Sequence, residues 1–458
     1  MLKDASRKWW VLFVTTTATS LFLMDSTILP VSLPVMEQQM HLTDVGGMWV
    51  INAYLLSFTM FLLVGGRLAE IFGYKRLYIF GMSLFGLGSI GAAISQTGAF
   101  LMTARTVQGI GSALTNPATL SLIISTFPLN QRARALGLDT GIASLFMMLG
   151  PILGGFFTQY LSWRLIFWFN VPFVVFGLIM GCLLLKRTKV QPAPFPWVST
   201  LLMASGMFLL IYGLMQSHCL GWRTWGVILS VIAGPLLLAA FAWFSLKIPH
   251  PLVDLRLFRS RLFTATNIIR FLLYMLITVG VIWVIFFEKE LSYSPIEIGA
   301  LIVVAALPVI VMAPLGGWLG DRFGHRLPIV LGHLLAVFCL IWMLVHAHRT
   351  DVLAFLPGLF AFGAGLPLVM SPTVALGLSS IPAERLGTGA ALMTAFRQFA
   401  SVLGVAIMTA VYYGCYESYR TSPVRAFIAV CWVALIFGIL GTAATFLLHT
   451  RSPRKGRS

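Results

Sequence analysis

Fourteen stretches of this chain are apolar over about 20 residues, the length an α-helix needs to cross the hydrocarbon core of a bilayer. They lie near 10–33, 46–68, 77–95, 99–126, 135–159, 165–185, 197–216, 225–246, 263–287, 297–319, 327–346, 352–379, 389–414 and 425–448. The polar segments between them are short, so no soluble domain is expected. The pattern predicts an all-α integral membrane protein of fourteen spans. An even count puts both termini on one side. That side collects 22 of the 31 Lys and Arg residues, from Lys3, Arg7 and Lys8 at the start to Arg451, Arg454, Lys455 and Arg457 at the end. The opposite side holds six, namely Arg164, Arg223, Lys289, Arg349, Arg420 and Arg425, and three more lie inside spans. By the positive-inside rule both termini are cytoplasmic.

One polar phrase occurs twice. Gly65-Gly66-Arg67-Leu68-Ala69-Glu70-Ile71-Phe72-Gly73-Tyr74-Lys75-Arg76 returns 251 positions later as Gly316-Gly317-Trp318-Leu319-Gly320-Asp321-Arg322-Phe323-Gly324-His325-Arg326. Such a repeat marks a membrane part built from two related halves. Each copy falls between the second and third span of a six-span half, which leaves spans seven and eight as an insert. The expected organisation is a six-helix bundle over 1–190, two inserted spans over 191–250, and a second six-helix bundle over 251–458. The insert contains no acidic residue from 197 to 246.

Composition agrees with this reading and removes competitors. Hydrophobic residues make up 59%, charged residues 10%, and the mean hydropathy is +0.92, whereas a soluble domain carries about 25% charged residues. The net charge of +17 raises the question of nucleic acid. The bases sit in short segments between apolar runs, with no basic stripe and interleaved aromatics, so nucleic-acid binding is excluded. Cys182, Cys219, Cys339, Cys415 and Cys431 show no metal-type spacing and read as small hydrophobes; Cys219 and Cys415, both near outer span ends, leave a disulfide open. The N-terminal run extends to about Pro34 without a small-residue cleavage site and is read as a retained span. Gly66 to Lys75 has the wrong spacing for a phosphate-binding loop, so nothing points to ATP-driven work. His346 and His348 have no third ligand in view, and neither metal nor cofactor is expected. A membrane-bound enzyme or receptor is thereby set aside.

In order along the chain, five motifs resemble those of the major facilitator superfamily, and more narrowly its fourteen-span drug:proton antiporters. Met24-Asp25-Ser26-Thr27-Ile28-Leu29-Pro30-Val31-Ser32-Leu33-Pro34 is similar to the family's LD-x-T-I-V-N-V-A-L-P. The repeated phrase resembles motif A, and Arg105-Thr106-Val107-Gln108-Gly109-Ile110-Gly111-Ser112-Ala113 resembles motif B. Gly150-Pro151-Ile152-Leu153-Gly154-Gly155 is similar to the antiporter motif C, and Trp163-Arg164-Leu165-Ile166-Phe167-Trp168-Phe169-Asn170-Val171-Pro172 to a further hallmark. Glu70 stands where motif A usually has Asp, Ile71 replaces its Arg, and Pro30 replaces the Asn of the first-span motif. The resemblance implies the facilitator fold, monomeric action and export coupled to protons.

An ionisable group deep in a bilayer persists only with a partner, a watery cavity or a task. Asp25, the acid within the first span, lies about 15 residues in, or roughly 22 Å at ~1.5 Å per residue. A carboxyl that can be neutral or charged can exchange a proton for a cationic substrate in one cavity; a fixed pairing with an Arg is the blander alternative. Asp139 reads equally as an acid in the first turns of a helix or as a second proton or cation site. Of the three intramembrane cations, Arg105 is the proton-coupling candidate by resemblance, Arg397 is a substrate-contact candidate in Phe396-Arg397-Gln398-Phe399, and Arg270 reads best as snorkelling to the interface. Glu288, Lys289 and Glu290 read as a solvated rim. The resemblance assigns gating to Glu70, Gly73, Lys75, Arg76, Asp321, Arg322, Gly324 and Arg326, with Glu70 latching onto a helix N-terminus near Gly387-Thr388-Gly389. Gly150, Pro151, Gly154 and Gly155, with Gly141, form a side-chain-poor face for close approach of helices. The expected function is a proton-coupled exporter of amphipathic, cationic drugs or toxic compounds in the inner membrane. A dedicated exporter of an endogenous metabolite, such as a siderophore or amino acid, is the alternative.

Overall fold

The computed structural model describes residues 4–186, 194–248, 251–349, 351–381, 386–419 and 422–448, which form helices and turns without a strand. Lys3, Arg187, Lys189, Arg385, Arg420 and the basic tail from Arg451, all used in the charge count, lie outside the described residues. The helices are α1 (Asp4–Ile28), α2 (Leu33–Gln39), α3 (Asp44–Phe72), α4 (Tyr74–Ala93), α5 (Gly98–Thr126), α6 (Leu129–Tyr160), α7 (Arg164–Leu184), α8 (Trp197–Leu220) and α9 (Trp225–Lys247). They continue as α10 (Arg261–Ile277), α11 (Val279–Lys289), α12 (Pro295–Phe323), α13 (Arg326–His346), α14 (Leu356–Ser379), α15 (Leu386–Tyr419) and α16 (Pro423–Ala444).

Every predicted span coincides with a helix or a broken pair of helices. The first span is α1 plus α2, interrupted by a 3-10 turn over Pro30–Ser32. Pro30 has no N–H to continue the ladder, so the regular hydrogen bonding of α1 stops at Ile28 even though Leu29 keeps helical angles, φ −70° and ψ −40°. The ninth span is α10 plus α11, broken at Thr278, whose hydroxyl donates to the Met275 carbonyl at 2.6 Å and so offers the backbone an alternative partner. Among the described residues, thirteen segments are long and apolar enough to cross a membrane. The fourteenth, α5, is not among them because it carries Arg105, Gln108, Asn116 and a series of Ser and Thr. The least lipophilic span is thus the one with the most polar chemistry to place.

The chain divides into two compact units. The first holds Met1–Val253 with Ser292–Ala300, so it contains α1 to α9 and the beginning of α12. Within it α5 packs most extensively on α3 and α4, α1 packs on α6 and α7, and α8 pairs with α9. Glycines set the closest of these distances: a Cβ on Gly88 of α4 would stand 2.6 Å from Gln108 Cγ and 2.7 Å from the Gln108 nitrogen of α5. The inserted helix α8 reaches α3 through Trp49 against Tyr212, with ring centroids 6.3 Å apart.

The second unit holds Asp254–Leu291 with Leu301–Ser458. In it α13 packs on α14, and α10 packs on α14, α15 and α16. The two copies of the repeated phrase each place a glycine of the same φ between two helices, one in each unit. Gly73, between α3 and α4, and Gly324, after α12, each have φ of 88°, a conformation that side chains with a Cβ rarely adopt. The repeat is therefore structural as well as textual. All five cysteines are thiols, so the open disulfide between Cys219 and Cys415 is not formed.

Candidate functional site

Asp25 and Arg105 meet in the interior of the first unit. Asp25 is 0% exposed and Arg105 1% exposed. Arg105 Nη1 donates to Asp25 Oδ2 at 2.5 Å and to Gln108 Oε1 at 2.7 Å. Its Nε donates to the Val50 carbonyl of α3 at 3.2 Å. The guanidinium also lies 4.3 Å from the Tyr54 ring centroid and 5.9 Å from that of Phe167. Asn170 of α7 donates through Nδ2 to Asp25 Oδ1 at 3.3 Å, while its Oδ1 is buried without a partner. Beyond them Gln108 Nε2 donates to Ser89 Oγ at 2.7 Å, and the Tyr54 hydroxyl lies 3.1 Å from Ser112 Oγ.

Taking two ions out of water costs several kcal/mol per ion, and their attraction offsets that only with good geometry and further hydrogen bonds. Here both conditions hold. Five helices, α1, α3, α4, α5 and α7, each contribute a group to the network around the pair. The blander expectation for Asp25, pairing with an Arg, is what the geometry shows, and the partner is the Arg of motif B. Sequence reasoning singled out both ions by their rarity in apolar runs. It missed Asn170, Gln108 and Tyr54 as partners, although Asn170 and Gln108 lie inside quoted motifs. Neutral polar residues are common in spans and carry no such flag.

Asp139 is separate from this pair. It is half-buried in α6 and accepts from the Thr16 hydroxyl of α1 at 2.8 Å. Thr16 also lines a cavity of about 360 Å³ between α1, α6 and α7, walled by Phe13, Phe146, Phe173 and Phe176. Ser20 lines it too and has no hydrogen-bond partner for its hydroxyl. Replacing Thr16 with Val keeps the shape and removes the donor. Loss of one hydrogen bond to a charged group is expected to cost about 1.5–3 kcal/mol if Asp139 is ionised, and about 0.5–1.5 kcal/mol if it is neutral. Thermal unfolding of the purified variant distinguishes the two.

Arg270 does not snorkel. It is 8% exposed, and its surroundings are considered below with those of Arg397. Of the gating candidates, Glu70 pairs with Arg67 on its own helix at 2.6 Å, with its side chain 51% exposed. Lys75 donates to the Cys182 carbonyl near the end of α7 at 2.7 Å, and Arg76 is exposed. Arg322 lies over Trp318 at 5.2 Å, and Arg326 over Phe446 at 4.9 Å. The side chain of Asp321 and the surroundings of Gly387 lie outside the described residues. An exposed pair within one helix is worth about 0.3–0.5 kcal/mol. Glu70→Gln is therefore expected to leave thermal stability almost unchanged, and any large loss of transport in that variant reports gating.

The glycines of motif C make three different contacts. Gly150 and Gly154 face α1 at Thr27 and Ile28, where a Cβ on Gly154 would stand 2.5 Å from the Ile28 oxygen. Gly155 faces the start of α12, where a Cβ would stand 2.6 Å from the Pro295 oxygen, and Gly299 of α12 lies equally close to the Pro151 oxygen. Gly141 has nothing within 4 Å and takes no part in this packing. The Gln159 side chain accepts from the Ile296 nitrogen at 3.1 Å, closing the same contact. The hallmark Trp163-Arg164 is structural: Trp163 Nε1 donates to Gln39 of α2 at 2.9 Å, and Arg164 donates to the Ser95 carbonyl after α4 at 2.9 Å.

Known proteins with this pattern agree with one another. The Major Facilitator Superfamily model matches residues 15–405 and 262–458. The chain is 30% identical to the multidrug resistance protein Stp of Mycobacterium tuberculosis over 391 residues, covering 85% of this chain and 73% of that protein. It is 29% identical to the tetracenomycin C resistance and export protein of Streptomyces glaucescens, covering 88% and 75%. With the puromycin resistance protein pur8 of Streptomyces alboniger the identity is 28%, covering 91% and 85%. Among solved structures, an auto-inhibited POT family peptide transporter superposes with a TM-score of 0.71 at 14% identity, covering 99% of both chains. A POT peptide transporter in complex with sulfate gives 0.69 at 19% identity, covering 95% and 94%; these two likenesses concern the fold alone. The chain belongs to the major facilitator superfamily, and it is a many-span membrane transporter of small molecules, related to drug-resistance exporters, not an enzyme.

Proposed function

We propose that this protein is a proton-coupled antiporter that exports amphipathic compounds, cationic drugs or toxins among them, by alternating access. Several of its relatives are drug-resistance proteins, and the observation that carries the coupling is the buried Asp25–Arg105 pair. Asp25 has two satisfied forms within one shell. Ionised, it is held by Arg105 and Asn170. Protonated, it leaves Arg105 with the Val50 carbonyl, Gln108 and the face of Tyr54. The unpartnered Asn170 Oδ1 then stands beside the acid as an acceptor. A switch between two such states biases the helices that carry them. A compound that favours the ionised form expels the proton, and by reciprocity the proton expels the compound. One proton moving down 100 mV supplies about 2.3 kcal/mol.

In this reading the chain acts as a monomer in the inner membrane with both termini cytoplasmic, and it consists of two six-helix halves and an inserted pair. Asp139 is a second proton or cation site. The motif A residues Glu70, Gly73, Lys75, Arg76, Asp321, Arg322, Gly324 and Arg326, with the motif C residues Gly150, Pro151, Gly154 and Gly155, gate the two sides. The test is collapse of a preformed pH gradient in inside-out vesicles on adding a panel of lipophilic cations. Collapse in vesicles with the protein and none in control vesicles is the expected result. No response to any compound sinks the antiport reading.

A further inference from the structure

Arg270 and Tyr274 on α10 and Arg397 on α15 all belong to the second unit, and the Arg397 guanidinium lies over the Tyr274 ring. On α10, Asn267, Arg270 and Tyr274 follow at helical spacing, so they share a face. Arg270 and Tyr274 are four residues apart, which makes their side chains neighbours on that face. The Arg397 guanidinium, carried by α15, is 5.3 Å from the Tyr274 ring centroid. Two polar atoms in this cluster are buried and unpartnered: Arg270 Nε and Asn267 Oδ1. Arg270 is 8% exposed and Asn267 2% exposed. Beside them Phe271 packs against Phe396 and Phe399, with ring centroids 6.3 and 6.1 Å apart.

Among the described residues of this unit, no acid stands at their depth. Helices α10, α13, α14 and α16 contain neither Asp nor Glu. Along the ninth span, Glu288 lies about 27 Å beyond Arg270, and Glu417 of α15 lies about 30 Å beyond Arg397, at ~1.5 Å per residue. Asp321 occupies the last turn of α12, while Glu297 in its first turn belongs to the first unit. The contrast with the first unit is plain, because there the buried Arg105 has its carboxylate. Two neighbouring guanidiniums inside a membrane bundle repel each other and are costly unless an anion joins them. A guanidinium matches a carboxylate in shape and bonds it through paired N–H groups.

We propose that Arg270, Arg397 and Tyr274 form a binding site for the carboxylate of an aromatic amphipathic compound. The two guanidiniums take the carboxylate oxygens, and Tyr274 with Phe271, Phe396 and Phe399 receives the ring. This rests on the export reading and extends the substrate class from cations to amphipaths that carry an acidic group.

Equilibrium binding to the purified full-length protein tests it, and because that measurement needs neither a gradient nor proton coupling, its failure is distinct from failure of the antiport reading. Naphthalene-2-carboxylate and its neutral amide, 2-naphthamide, are compared by calorimetry in methanesulfonate buffer, which holds no carboxylate. The carboxylate is expected to bind at least tenfold more tightly than the amide. In Arg397→Gln the difference falls to within twofold while amide binding persists, which also shows that the variant is folded. Arg397→Lys, which keeps the charge, retains part of the preference. Equal affinity of the two probes for wild type overturns the proposal, as does a preference that survives Arg397→Gln. Loss of the preference when chloride replaces methanesulfonate at equal ionic strength marks a site for small inorganic anions and overturns it as well.

Discussion

Truncating Arg105 to alanine is expected to destabilise the protein by about 3–5 kcal/mol, the range for breaking a buried ion pair by removing one partner. The loss is large because Asp25 is 0% exposed and would keep only the longer Asn170 contact of 3.3 Å. Gln108 would also lose its guanidinium donor, and the Val50 carbonyl its side-chain partner. The double variant Asp25→Asn, Arg105→Gln removes both charges at nearly constant volume. It is expected to recover most of the stability, since replacing a buried pair by neutral groups is often nearly neutral or even stabilising. Thermal unfolding in detergent of wild type, both single variants and the double variant gives the pairwise energy from the cycle. Additive losses would mean that the two side chains do not interact.

Placing valine at Gly154 should be the most disruptive substitution within motif C. A Cβ there stands 2.5 Å from the Ile28 oxygen and 3.0 Å from Ile28 Cγ1, and a backbone oxygen in a packed helix cannot swing aside. Overpacking of this kind costs about 1–3 kcal/mol. The displaced segment of α1 lies one turn from Asp25 and directly before the Pro30 break, so the shift reaches the ion pair. Turnover is expected to fall by about tenfold or more, because a misplacement of about 1 Å at a functional group can cost about 100-fold. Gly141→Val is the internal control: with nothing within 4 Å of its Cβ position, it should change neither stability nor turnover appreciably. Equal damage from both substitutions would show that loss of glycine itself, and not the contact with Ile28, is responsible.

Much of the architecture was legible because lipid makes span length and apolarity obligatory. The apolar runs place all fourteen spans, and even α5, the most polar, is long enough to be recognised. The breaks at Pro30 and Thr278 were less visible. A proline announces the first, while the second depends on a Thr whose hydroxyl happens to turn back on Met275. The rare charges Asp25, Arg105, Asp139, Arg270 and Arg397 stand out in apolar surroundings. Which of them meet could not be read, because Asp25 and Arg105 are 80 positions apart and their encounter depends on the rotation of α1 and α5 about their axes. The rotation of α10 likewise buries Arg270, which its position 9 residues into that helix left free to snorkel. Motif C was legible as a stripe of glycines, but only the packing separates Gly154 and Gly155, which touch backbone, from Gly141, which does not.

The central claim is that Asp25 carries the exchanged proton. It is tested most directly by adding substrate to the purified, weakly buffered protein and following proton release with a pH dye. Wild type is expected to release a proton as the compound binds, and Asp25→Asn to bind the compound while releasing none. Undiminished release from Asp25→Asn would contradict the account and move the proton to Asp139.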